Sequence, residues 1–150
     1  MQRRFLAAST IALAAAGATA ARAAEPQHRL VLHVGGGAPG VMTVALHNIA
    51  NAFDEYAKLG QTIAIELVAI GPGYTMLRAD KSPVVALLAA TQTKYPSVVF
   101  SACQNSRAGF ARAEGKAPQD IPELPGVNDV PAGIVRLVEL QEQGYRYVRA

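Results

Sequence analysis

The stretch VVFSACQNS, residues 98–106, changes character halfway along. Val98-Val99-Phe100 is β-branched and aromatic, the composition of a strand, and the run from Ser97 to Ala102 reads as one. Asn105 or Ser106 is suited to cap a helix running to Glu114, where Gly115 closes it. A strand handing over to a helix is the repeating unit of an α/β sheet. Cys103, the only cysteine of the chain, stands at the hand-over.

Working outward, the same alternation recurs. Arg29 to Val34 is a short apolar run stopped by Gly35-Gly36-Gly37, so a strand. From Pro39 to Leu59, Val41, Val44, Ala45, Ile49, Ala52, Phe53 and Tyr56 fall at three- and four-residue steps. That spacing predicts an amphipathic helix, with Pro39 in its first turn and Gly60 at its stop. Thr62 to Ile70 is a second strand, ended by Gly71-Pro72-Gly73. Tyr74 to Arg78 fits a helical turn, and Ser82-Pro83 is suited to start a helix through Ala90. After the third strand and its helix, Pro118, Pro122 and Pro125 mark a loop long enough to carry function. Val127 to Val130 is a fourth strand, Pro131 to Gln143 a helix, and Tyr145 to Val148 a fifth strand. Alternating strands and helices predict a mainly parallel sheet covered on both faces.

The first residues read as a targeting segment. Arg3 and Arg4 precede an Ala-rich apolar stretch, and Ala21-Arg22-Ala23 gives a small-x-small cleavage pattern. Residues 1–23 are therefore expected to be a cleavable signal peptide, with residues 24–150 forming a single domain. The arginine pair lacks the spacing of a twin-arginine signal, so general secretion is the default route. The apolar stretch carries Ser9, Thr10 and Thr19, which makes it weak as a permanent membrane anchor.

Removing that segment changes the charge argument. The whole chain has 14 basic and 11 acidic residues. Arg3, Arg4 and Arg22 leave with the signal, so 14 − 3 = 11 basic residues remain against 11 acidic ones. A near-neutral mature domain with no basic stripe excludes a nucleic-acid partner. One cysteine excludes an internal disulfide framework and a cysteine-based zinc site, and His28, His33 and His47 have no ligand spacing, so no metal is expected.

Two features remain as candidates for chemistry. Gly35 to Gly40 satisfies G-x-G-x-x-G between a strand and a helix. A dinucleotide site also needs a carboxylate at the end of the second strand, and Glu66 sits mid-strand instead. The motif thus reads as a tight turn, whose Gly36 and Gly37 can still receive an anion or a small polar group, and no cofactor is expected. Cys103 is the stronger candidate. Ligands of open α/β sheets bind beyond the carboxyl ends of the strands, and a helix start favours thiolate over thiol. Arg107 would add a cation. An inert buried cysteine is the competing reading.

The stretch from Val98 to Gly109, followed by Asp120 to Gly126 and Val130 to Tyr145, resembles the DsrE/DsrF-like proteins, and most of all their small exported branch. The resemblance covers nearly all of residues 28–149. It implies a three-layer α/β/α fold with a mainly parallel five-stranded sheet, and assembly into trimers or hexamers. It also implies that Cys103 carries a persulfide and relays sulfur, as in sulfur oxidation, with Arg107 and Gly109 matching the family's post-cysteine region. In that role the backbone N–H groups around Gln104, Asn105 and Ser106 are expected to stabilise the anionic sulfur. Cytoplasmic relatives work with dedicated partners, whereas this chain is expected in the periplasm with no visible one. The reading is therefore a periplasmic sulfur carrier serving a donor or acceptor protein or a small sulfur compound. Its alternative is a non-catalytic small-ligand-binding or oligomeric assembly module with an inert Cys103.

Overall fold

The computed structural model describes residues 25–150, so the signal-peptide reading lies outside the described residues. Its elements are β1 (His28–Val34), α1 (Pro39–Lys58), β2 (Ile63–Ala69), a 3-10 segment (Gly71–Leu77), α2 (Val85–Lys94), β3 (Val99–Cys103), α3 (Gln104–Ala113), β4 (Val127–Val130), α4 (Gly133–Glu142) and β5 (Arg146–Arg149). The five strands form one sheet in the order β4-β3-β2-β1-β5, and every pairing is parallel. Four helices pack around it, giving the expected three-layer α/β/α fold.

Strand order dictates which helix lies on which face. From β1 to β4 the chain moves one strand at a time in a single direction. Right-handed crossovers then place α1, the 3-10 segment, α2 and α3 on the same face. The step from β4 back past β1 to β5 runs the other way, so α4 falls on the opposite face.

The two faces are filled unequally. Side chains alternate along each strand, so Leu32, Val34, Ile65, Leu67, Phe100 and Ala102 meet Met42, Leu46, Ile49, Tyr74, Met76 and Leu88 in the main core. On the α4 face the buried apolar cluster consists of Val31, Val68, Leu137 and Leu140. The outward side of α4 leaves Ile134, Val135 and Val138 exposed, and Tyr147 and Val148 on β5 are exposed as well.

Two helix starts differ from expectation. α3 begins at Gln104, directly after Cys103, and has no side-chain cap. The Ser106 hydroxyl is engaged elsewhere, accepting the Gly71 N–H at 2.7 Å. α2 begins at Val85, because Ser82 donates to the Met76 carbonyl at 2.6 Å and closes a turn rather than a helix.

Candidate functional site

Open α/β sheets form a crevice where neighbouring strands send their connections to opposite faces. Here β3 leads into α3 on one face, while β4 leads into α4 on the other, and the two strands are neighbours. Cys103 ends β3 and pairs with Val130, the last residue of β4. The lone cysteine therefore stands at the switch point. Alternation turns its side chain, with those of Val99 and Ser101, towards the α4 face.

The N-terminus of α4 is seated on the sulfur. Gly133 donates its N–H to Cys103 Sγ at 3.2 Å. Only a glycine permits the approach, since a Cβ there would lie 2.5 Å from Ile70 Cγ1 and 3.1 Å from Cys103 Cβ. The consequence for access is plain: Cys103 is only 3% exposed.

Burial raises the pKa of this thiol, but the combined hydrogen bonds outweigh it and the net shift is below the ordinary value. They come from the Ser106 hydroxyl and from the backbone amides of Gly133, Ser106 and Asn105. Because Ser106 Oγ already accepts from Gly71, its own proton is free to point at sulfur. Amides from the starts of two helices thus favour the anion.

The remaining expected residues divide around this point. Gln104 turns away from the sulfur and donates to Glu123 at 3.2 Å and Asp129 at 2.9 Å. Arg107 does not pair with the sulfur. Its guanidinium donates to the Ile121 carbonyl at 2.6 and 3.1 Å, and stands 3.6 Å from Glu123. Gly37 braces the β1–α1 turn against the 3-10 segment, where a Cβ would meet Pro72 Cβ at 2.9 Å, while Gly36 abuts Val41. The glycine turn therefore shares the carboxyl end of the sheet with Cys103, linked to it through Gly71 and Ser106.

Sequence reasoning missed a polar cluster behind β3 and β4. Tyr74 donates its hydroxyl to Glu123 at 2.6 Å, and burial plus that bond push the Tyr74 pKa far up. Glu123 is raised as well, by burial and by the neighbouring Asp129 carboxyl. The one hint was the glutamate within the proline-rich loop, Pro122-Glu123-Leu124.

A second missed feature lies on the α4 face. Glu66, 3% exposed, accepts Arg136 Nε and Nη2 at 2.8 Å each and the Ser101 hydroxyl at 2.6 Å. This pair explains why a carboxylate interrupts an otherwise apolar central strand. It also answers the dinucleotide motif, because the acid of β2 is committed to α4. The pair floors a groove of about 550 Å³ between α4 and β4, walled by Val99, Asn128, Val130, Pro131, Ala132 and Val135.

Fold and site together define a class: a compact α/β/α protein with one amide-held cysteine at the switch point of its sheet. No protein-family model matches the chain, and no curated protein matches it. Among solved structures it is similar to a protein of unknown function from Methanobacterium thermoautotrophicum, with 27% identity and a TM-score of 0.66. The match covers 82% of this chain and 99% of that one. Among the described residues, no helix is long and apolar enough to cross a membrane.

Proposed function

We propose that this protein is an exported, periplasmic sulfur carrier in which Cys103 holds the cargo as a persulfide. The observation that carries the reading is the amide setting of Sγ, bonded by Gly133 at 3.2 Å at the strand-end crevice. A low-pKa thiolate is the form that attacks sulfane sulfur. With thiosulfate, Cys103 thiolate bonds to the outer sulfur, the S–S bond of the donor breaks, and sulfite leaves with the electron pair. An acceptor thiolate then attacks the outer sulfur of the persulfide and releases Cys103 as thiolate. Neither step changes the overall oxidation level, and the same amides stabilise the anion before and after transfer.

The DsrE/DsrF-like resemblance of the sequence supports this reading, and so does the place of the cysteine between strand and helix. Assembly with further copies of the chain belongs to the proposal too. The exposed Ile134, Val135 and Val138 on α4 support it. Intact-mass measurement after incubation with thiosulfate or polysulfide tests the carrier directly. One added sulfur atom is expected on the wild type and none on Cys103→Ser. No addition from any donor would refute it.

The 3% exposure of Cys103 favours the other reading, a binding or assembly module with an inert thiol. The two readings separate on labelling. A carrier thiol reacts in the native protein, whereas an inert one reacts only when the chain unfolds.

A further inference from the structure

Two carboxylates meet on the α3 side of the sheet, at the β4 edge. Asp129 lies opposite Ala102 in the β3–β4 ladder, so its side chain turns to the same face as Ala102, towards α3. Glu123 reaches the same point from the loop between α3 and β4. That loop is fastened to the chain around the 3-10 segment on either side of Glu123. Ala79 donates its N–H to the Pro122 carbonyl, and Leu124 donates to the Leu77 carbonyl, both at 2.9 Å.

Both acids draw on the same two donors. Gln104 Nε2 donates to Glu123 at 3.2 Å and to Asp129 at 2.9 Å. Arg107 Nη1 stands 3.6 Å from Glu123 and 4.0 Å from Asp129, while its shorter bonds go to the Ile121 carbonyl. The other neighbours do not neutralise the pair. Tyr74 is an uncharged donor to Glu123, and the Arg78 guanidinium is engaged by Asp80 and Glu114. Two ionised carboxylates against one guanidinium leave 2 − 1 = 1 negative charge, around a Glu123 side chain that is only 12% exposed. Burying an unbalanced charge is costly, and one proton placed between the two acids removes it. The raised pKa of Glu123, from burial and from Asp129, agrees with that arrangement.

We infer that Glu123 and Asp129 form a proton-operated latch: sharing one proton they bind the loop to the edge of the sheet, and losing it releases Asp129 to water. Asp129 is the partner that leaves, since its side chain is 57% exposed, whereas Glu123 is held by Tyr74 at 2.6 Å. Gln104 is also the residue after Cys103, so the latch bears on the helix start whose amides hold the sulfur. The inference does not depend on the carrier reading. Because the native pKa of Glu123 is raised, the stability the latch contributes is fully present below the pKa of the unfolded carboxyl. It is lost as pH rises through the native value.

Side-chain carboxyl NMR on the whole folded chain tests the pairing. Glu123 and Asp129 should take up one proton in a common step, with Glu123 above the ordinary glutamate midpoint. Asp129→Asn should lower the Glu123 midpoint, whereas Glu142→Gln, on the exposed side of α4, should leave it in place. Amide exchange reads the latch itself. After correction for intrinsic rates, the Ala79 and Leu124 amides should be about three- to tenfold better protected below the shared step than above it. Glu123→Gln keeps a donor for Asp129 at every pH and should hold the higher protection throughout. Asp129→Asn, at the exposed edge, makes the same comparison should Glu123→Gln fail to fold, because its amide bridges to Glu123 at every pH. Independent titration of the two acids at ordinary values would overturn the pairing. Coupled titration with unchanged amide protection would overturn the latch.

Discussion

The two faces of the sheet are built to different standards. Against α1, α2 and α3, the strands bury Leu32, Ile65, Leu67 and Phe100 at 0–1% exposure, with Tyr74, Met76 and Leu77 closing the layer. Against α4 the chain places a short apolar cluster, a buried ion pair, a cysteine and an open groove. The first face holds most of the apolar burial, and the second holds the groups whose partners are specific. Hydrophobic burial accepts any close fit, whereas an ion pair or a thiolate needs specific partners at specific distances.

Truncation should expose that contrast most strongly. Leu67→Ala removes a fully buried side chain from the centre of the main core and is expected to cost about 3–4 kcal/mol in chemical denaturation. Val138→Ser on α4, half exposed, should move the midpoint by less than about 0.5 kcal/mol unless copies of the chain assemble through it. A large loss that vanishes on dilution would place α4 in an interface.

The ion pair comes next. Arg136→Met leaves Glu66 buried without its bidentate partner, and a loss of about 3 kcal/mol is expected at neutral pH. Glu66→Leu combined with Arg136→Leu should recover most of that loss, since an apolar pair of similar size removes the stranded charge. If the single and double variants unfold together, the pair is structural packing and not a managed charge.

Gly133→Ala is a smaller perturbation with a sharper readout. Its Cβ would press on Ile70 and push the start of α4 off the sulfur, at a cost of about 1–3 kcal/mol. The lost amide should also raise the Cys103 pKa. The sign of the linkage follows from the lowered native value. The stabilisation of the thiolate is present above the pKa of the unfolded thiol and is lost as pH falls through the folded one. Stability of the wild type should therefore climb across that window, and Cys103→Ser should climb less.

Much of the fold was legible because its signals are local. The glycine triplet at Gly35, the period of Val41 to Tyr56 and the apolar run ending at Ile70 each report on their neighbours in sequence. The parallel sheet followed from their alternation, and β4 was legible to the residue. Cys103 was legible as a strand-end residue by the same logic.

What was hidden depends on contacts across the chain. Glu66 looked like an interruption of β2 because Arg136, its reason for being there, lies 70 residues further on. Ser106 looked like a helix cap, yet Gly71 of the preceding connection claims its oxygen. Arg107 looked like a cation for the sulfur until the Ile121 carbonyl and Glu123 took its donors. Gly133 carried no signal at all, since closeness of approach has no sequence pattern.

The rate of Cys103 alkylation as a function of pH reads the acidity and the access of the thiol in one curve. The account predicts that the native thiol reacts without unfolding, with a midpoint below that of an ordinary cysteine, and that Gly133→Ala moves the midpoint up. Reaction only at the rate of global unfolding, or a midpoint at or above the ordinary value, would contradict it.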